Sequence, residues 1–262
     1  MTKIETGFGI EQEKPPAFDG IVVLGRGIEQ VDVGETKKWK PTRAIEELSL
    51  KKGHPGIRVK EITPEDENES VVVAGANANV LAAVELFEEL KGSDNQPGLV
   101  IFAAGRPDFL KNESDETLSE GKILVEKFAR LEKNNIGQTE ILILDKNKNT
   151  KDDILYSLKA AYERGLKKVA IITISLHVER ASEFLKLVIQ QNPELNNLEI
   201  QFIPSEELLE KRYSKSVYAS KKFKEELTKL KESAAWKRTE QKEKSGVEAL
   251  RQGKYDQSSQ GY

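Results

Sequence analysis

Apolar positions along this chain follow two alternating rhythms. Short unbroken runs occur at 20–24 (GIVVL), 99–104 (LVIFAA), 140–144 (EILIL), 169–174 (VAIITI) and 198–203 (LEIQFI). Their length and β-branched content predict strands buried on both faces. Between them the spacing widens to the helical period. A helix is predicted over 79–91, closed by Gly92, and another from about 117 to 131 with Leu118, Leu124, Phe128 and Leu131 inward. A third opens on Thr150 and Asp153 as a capping box, runs to Arg164 and stops at Gly165. After the 169–174 run, Ser175-Leu176 reads as a tight turn. A helix then opens at His177, with Val178, Ala181, Phe184, Leu185 and Val188 on one face. Strand–helix alternation with right-handed crossovers predicts a parallel sheet with helices on both faces.

The remaining segments carry less pattern. Residues 1–18 are polar and read as a flexible arm. Within a domain over 19–214, residues 28–69 read as an elaboration, with 57–62 and 70–74 able to pair as a hairpin. A C-terminal helix is predicted over 215–236. Residues 237–262 have few apolar anchors and are predicted to be disordered, so their removal is expected to leave the fold intact.

Composition narrows the chemistry. The chain has no cysteine and only two histidines, which removes disulfides, thiolate metal sites and all-histidine sites. No apolar run reaches the roughly 18 residues of a membrane span, and the N-terminus has no apolar signal region, so a cytoplasmic protein is expected. The net charge of −3 divides into a mildly basic tail over 221–262 and an acidic body. That distribution is not a nucleic-acid footprint.

The candidate chemistry sits at the strand ends, which a parallel sheet brings to one edge. Gly25-Arg26-Gly27 follows the first run, where backbone N–H groups can approach a ligand; a plain strand-ending turn is the alternative. Gly105 and Arg106 follow the second, and the third leads into Asp145, Asn149, Thr150 and Asp152. Thr173, His177 and Arg180 follow the fourth, with His177 and Arg180 three apart and so on one side of a helical turn. Arg26, Arg106 and Arg180 are candidate anion clamps, and His177 a candidate acid/base or phosphate ligand. Asp145, Asp152 and Glu120 are candidates for a further acid or for oxygen ligands to a divalent ion. Helix capping by Thr150, favourable first-turn charge at Asp152 and a solvated Glu120 are the structural alternatives.

In order, these strand ends resemble the YdcF-like family, the domain of unknown function numbered 218, which also includes the SanA and ElyC envelope proteins. Val22-Val23-Leu24-Gly25-Arg26-Gly27 is similar to its V-V-L-G-G-G strand, and Ile101 to Arg106 loosely to its I-I-x-S-G-G segment. Ser119-Glu120, then Asp145, Asn149, Thr150 and Asp152, then Thr173, His177 and Arg180 follow its later motifs. The resemblance covers roughly residues 19–205. Arg26 and Arg106 stand where the family has a second glycine, and 28–69 is long. The resemblance implies a three-layer α/β/α, Rossmann-like fold on a mostly parallel sheet, and S-adenosylmethionine as one ligand class, with an envelope or polysaccharide-precursor role in the anchored members.

Two functions of different class follow. One is a small-molecule binding protein or enzyme for an anionic, nucleotide-like ligand at the strand ends. The other is a non-enzymatic interaction protein that uses residues 28–69 and the charged tail.

Overall fold

A computed structural model of the protein describes residues 4–6, 17–33, 36–42, 75–92, 96–107, 110, 118–132, 136–212 and 217–254. Five strands carry the sheet: β2 (Gly20–Leu24), β5 (Leu99–Ala103), β6 (Glu140–Leu144), β7 (Lys168–Thr173) and β8 (Glu199–Pro204). A short strand, β1 (Ile4–Thr6), joins its edge, and β3 (Ile28–Val33) with β4 (Thr36–Pro41) forms a separate antiparallel hairpin. The helices are α1 (Ala76–Gly92), α2 (Glu120–Leu131), α3 (Thr150–Glu163), α4 (Ser175–Gln191), α5 (Ser205–Arg212), α6 (Val217–Glu232) and α7 (Ala234–Arg251).

The sheet order is β1-β8-β7-β2-β5-β6, and every pairing is parallel. Side chains alternate between the faces, as strand geometry requires. Ile21, Val23, Val100, Phe102, Ala170 and Ile172 enter the core under α1 and α2. Val22, Leu24, Leu99, Ile101, Val169 and Ile171 enter the core under α3 and α4. Phe128 of α2 meets Phe87 and Phe102 edge-on, at centroid distances of 5.6 and 5.4 Å. The three-layer α/β/α fold read from the sequence is therefore present. No helix among the described residues is long and apolar enough to cross a membrane.

Several local expectations are corrected. The 1–18 arm contributes β1, with Ile4 opposite Ile200. Backbone pairing at an open edge depends little on side-chain polarity, so composition hid it. The cap of α3 is Asn149, whose side chain accepts the Asp152 N–H at 3.0 Å; Thr150 is the first helical residue. No turn separates β7 from α4, which starts at Ser175 behind Ile174. A distant carboxylate replaces a local cap there, because Glu206 accepts the Ser175 N–H at 2.8 Å. The tail is not disordered through 237–251, where α7 forms and docks. The expected hairpin over 57–62 and 70–74 lies outside the described residues.

Candidate functional site

The chain moves outward from β2 to β5 and β6, then returns to the other side of β2 for β7 and β8. Connections therefore diverge between β2 and β7, which makes that gap the topological switch point of the sheet. Gly25-Arg26-Gly27 leaves β2 on one side of it, and α4 leaves β7 on the other.

Four charged or titratable side chains meet there, from three separate parts of the chain. His177 Nδ1 lies 3.1 Å from Glu243 Oε2, and Arg180 Nη2 lies 3.3 Å from the same ring nitrogen. Arg180 Nε lies 2.8 Å from Glu243 Oε2, and Arg26 Nη1 donates to Glu243 Oε1 at 3.2 Å. On its far side, His177 Nε2 lies 3.4 Å from Thr150 Oγ1. His177, Arg180 and Glu243 are 2%, 7% and 6% exposed, so the cluster is shielded from water.

Burial dominates the titration of the imidazole. It pulls His177 down to about 4; Glu243 opposes that shift, and Arg26 and Arg180 add to it. His177 is therefore neutral at pH 7. Burial pushes Glu243 upward, but the His177 hydrogen bond and the neighbouring cationic groups outweigh it and hold the carboxyl at about 2. With the ring neutral, the two guanidinium groups are the charges that keep this carboxylate ionised. Glu243 at Nδ1 favours the Nδ1–H tautomer, whereas Arg180 Nη2, which can only donate, favours a bare Nδ1, so the two neighbours pull the ring in opposite directions.

The other predicted residues take different places. Glu120 is buried, and its Oε1 accepts the Arg26 and Gly27 N–H groups, each at 2.7 Å. The loop N–H groups read as ligand donors are thus held by the protein's own acid. Burial raises the Glu120 carboxyl, against the lowering by those two N–H bonds. A Cβ on Gly25 would lie 2.6 Å from Ala104 Cβ and 2.7 Å from Glu120 Oε1, so only glycine fits there. Gly27 has φ +97°, which also suits glycine. Arg106 staples its own loop, donating to Leu118 O at 2.7 Å and Leu110 O at 2.6 Å. A side chain on Gly105 would overlap the Asn147 carbonyl, which explains its place between two strand ends.

Asp152 accepts the Lys148 N–H at 3.3 Å, and its neighbour Asp153 receives the Asn147 amide at 2.9 Å. Asp145 is half-buried at the end of β6. Thr173 is fully buried at the end of β7, and its hydroxyl has no hydrogen-bond partner among the described residues. The three acids proposed as oxygen ligands are not brought together, and no group of three metal-ligating side chains occurs among the described residues.

Of the sequence candidates, Arg26, Thr150, His177 and Arg180 share one site. Two acids escaped that reading. Glu206 is fully buried and receives Ser175 through both its N–H and its hydroxyl. Glu243 is the hub of the cluster. Its only signal is its spacing, since Trp236, Glu243, Val247 and Leu250 fall on one helical stripe. No model of a known family, no curated protein and no solved structure matches the chain.

Proposed function

We infer that the chain binds a small anionic, nucleotide-like or phosphorylated ligand in the crevice between the carboxyl ends of β2 and β7. The observation that carries this reading is the convergence of Arg26, Arg180 and His177 on a single buried carboxylate at the switch point. Open parallel sheets bind ligands in that crevice. Buried guanidinium groups suit a group with anionic oxygens, to which they give charge-assisted hydrogen bonds. The resemblance to the YdcF-like family makes S-adenosylmethionine, through its carboxylate, one ligand of this class, and a cytoplasmic location accords with it.

Calorimetric titration of the full chain with inorganic phosphate, ADP and S-adenosylmethionine tests the reading. Arg180→Ala and Arg26→Ala should each weaken binding by at least about tenfold, since such a bond contributes roughly 1.5–3 kcal/mol. Binding that ignores both substitutions would remove these residues from the site.

A second reading keeps Glu243 seated beside the bound ligand, so that the ligand does not replace it, and makes the site catalytic. It rests on the ordered series Glu243, His177, Thr150, in which the ring has a carboxylate at Nδ1 and a hydroxyl at Nε2. A proton acceptor oriented by a carboxylate is the usual arrangement of a general base. His177→Gln should then abolish turnover while leaving the affinity for ADP within a few-fold. Loss of affinity and turnover together would make the histidine a binding group alone.

A further inference from the structure

We propose that α7 is a displaceable lid, and that its Glu243 carboxylate occupies the anion site in place of the anionic group of a ligand. This rests on the binding reading above and concerns the regulation of that same site.

The first support is chemical. Glu243 already satisfies what an anionic ligand would demand of the crevice. Its two oxygens take Arg26 at 3.2 Å, Arg180 at 2.8 Å and His177 at 3.1 Å. Arg26 follows β2, and His177 and Arg180 stand in α4 after β7, whereas Glu243 arrives more than sixty residues later on the last described helix. A carboxylate and a phosphate oxygen are interchangeable partners for a guanidinium fork. A ligand bearing either competes with Glu243 directly.

The second support is how few apolar side chains α7 buries. Among its described side chains only Trp236, Glu243, Val247 and Leu250 are buried. Trp236 packs with Ile174 and Leu176 at one end, and Leu250 joins the core under α4 at the other. Arg251 pairs with the exposed Glu179 at 3.0 Å and with the half-buried Glu183 at 2.7 Å. A helix with few buried apolar groups belongs to the low-stability end of a structure, from which moving elements are drawn.

The third support is Gly246. Glycine disfavours a helix interior, yet it stands one turn from Glu243. A Cβ there would lie 3.0 Å from Arg180 Cδ and 3.6 Å from its Nη1. The missing side chain lets α7 come close enough for Glu243 to reach the guanidinium. Helix stability is given up at the one position that seats the carboxylate.

A docked lid lowers apparent affinity by the fraction of molecules that are open. Two substitutions in the full chain remove that penalty by different means. Glu243→Ala deletes the competing carboxylate. Gly246→Leu keeps every charged group and pushes the helix off Arg180. Each should bind inorganic phosphate or ADP at least about tenfold more tightly than the wild type. The chain has two tryptophans, so Trp39→Phe leaves Trp236 as the sole indole reporter. Its emission should shift to the red when phosphate or ADP is added to the protein with Glu243 present. Should Glu243→Ala fail to fold, Gly246→Leu and the Trp236 signal still decide. Equal affinities with an unmoved Trp236 would overturn the lid and leave the binding site standing. No binding by the wild type or by either variant would overturn the binding reading, and the lid with it.

Discussion

At the scale of single residues, the loop after β2 is organised by an acid it never meets in sequence. Glu120 Oε1 takes two consecutive loop N–H groups at 2.7 Å each, and Gly25 leaves room for it. Removing a buried acceptor strands its donors, which costs about 1–3 kcal/mol each. Glu120→Ala should therefore destabilise the protein by at least that amount, and Gly25→Ala by a similar 1–3 kcal/mol through overpacking. Chemical denaturation of both variants checks this; an unchanged midpoint for Glu120→Ala would show that water replaces the carboxylate without loss. A second residue behaves oppositely. Burial and the neighbouring Glu88 carboxylate push Glu132 up to about 8 from an ordinary 4.5. An acid raised in the folded state stabilises fully below its unfolded value, and that stability is lost as pH rises through the folded value. Glu132→Gln should thus change little at pH 4.5 and gain on the wild type, by up to about 5 kcal/mol, as pH approaches 9. Melting curves at the two pH values check the sign; an equal gain at both would mean that Glu132 does not titrate in this window.

At the scale of elements, what the sequence revealed depended on how each element is held. β2 and β5 are buried at every position, and their unbroken apolar runs announced this. Glycine at 165, with φ +71°, marked the end of α3 equally plainly. The strand-end residues Arg26, His177 and Arg180 could be placed on one edge from topology alone. Their partner could not, because α7 buries only three apolar side chains among those described, and a rule that asks for apolar burial reads such a segment as unfolded. The same blindness hid β1, whose contribution is backbone pairing, and Glu206, which caps α4 from the far side of β8. Docking by a charged cluster also makes α7 the pH-sensitive element. His177 is depressed to about 4 from 6.5, and Glu243 to about 2 from 4.5. A depressed base resists protonation in the docked state, so docking weakens as pH falls from 6.5 toward 4; a depressed acid contributes fully above 4.5 and is lost toward 2. Both act in the same direction. Amide hydrogen exchange, corrected for its intrinsic pH dependence, should show α7 losing protection between pH 7 and pH 4 while β5 keeps it. His177→Gln should remove the part of that loss above pH 4.5. Equal loss in α7 and β5 would point to global unfolding instead.

At the scale of the whole molecule, the question is whether the sheet needs the last helix. The two cores of the sheet are made almost wholly by residues before α7, including Phe87, Phe102, Phe128, Phe184 and Phe202, each essentially inaccessible to solvent. α7 adds Leu250 to one of them and Trp236 to a small cluster over the end of β7. Burying one large apolar side chain contributes about 1.5–3 kcal/mol. A chain ending at Ser233 should therefore lose about 2–5 kcal/mol and still unfold in one cooperative step. The cut also exposes Arg26, Arg180 and His177 together, three donors that face a carboxylate in the intact chain. Opened to water, they are no longer a buried uncompensated charge, which limits the loss. Added phosphate should then raise the melting temperature of the shortened chain more than that of the intact one, because a ligand stabilises only the state that binds it. Calorimetric melting of both chains, with and without phosphate, separates the possibilities. A shortened chain without a cooperative transition would make α7 part of the folding core. A cooperative one indifferent to phosphate would leave the exposed cluster without an anion-binding role.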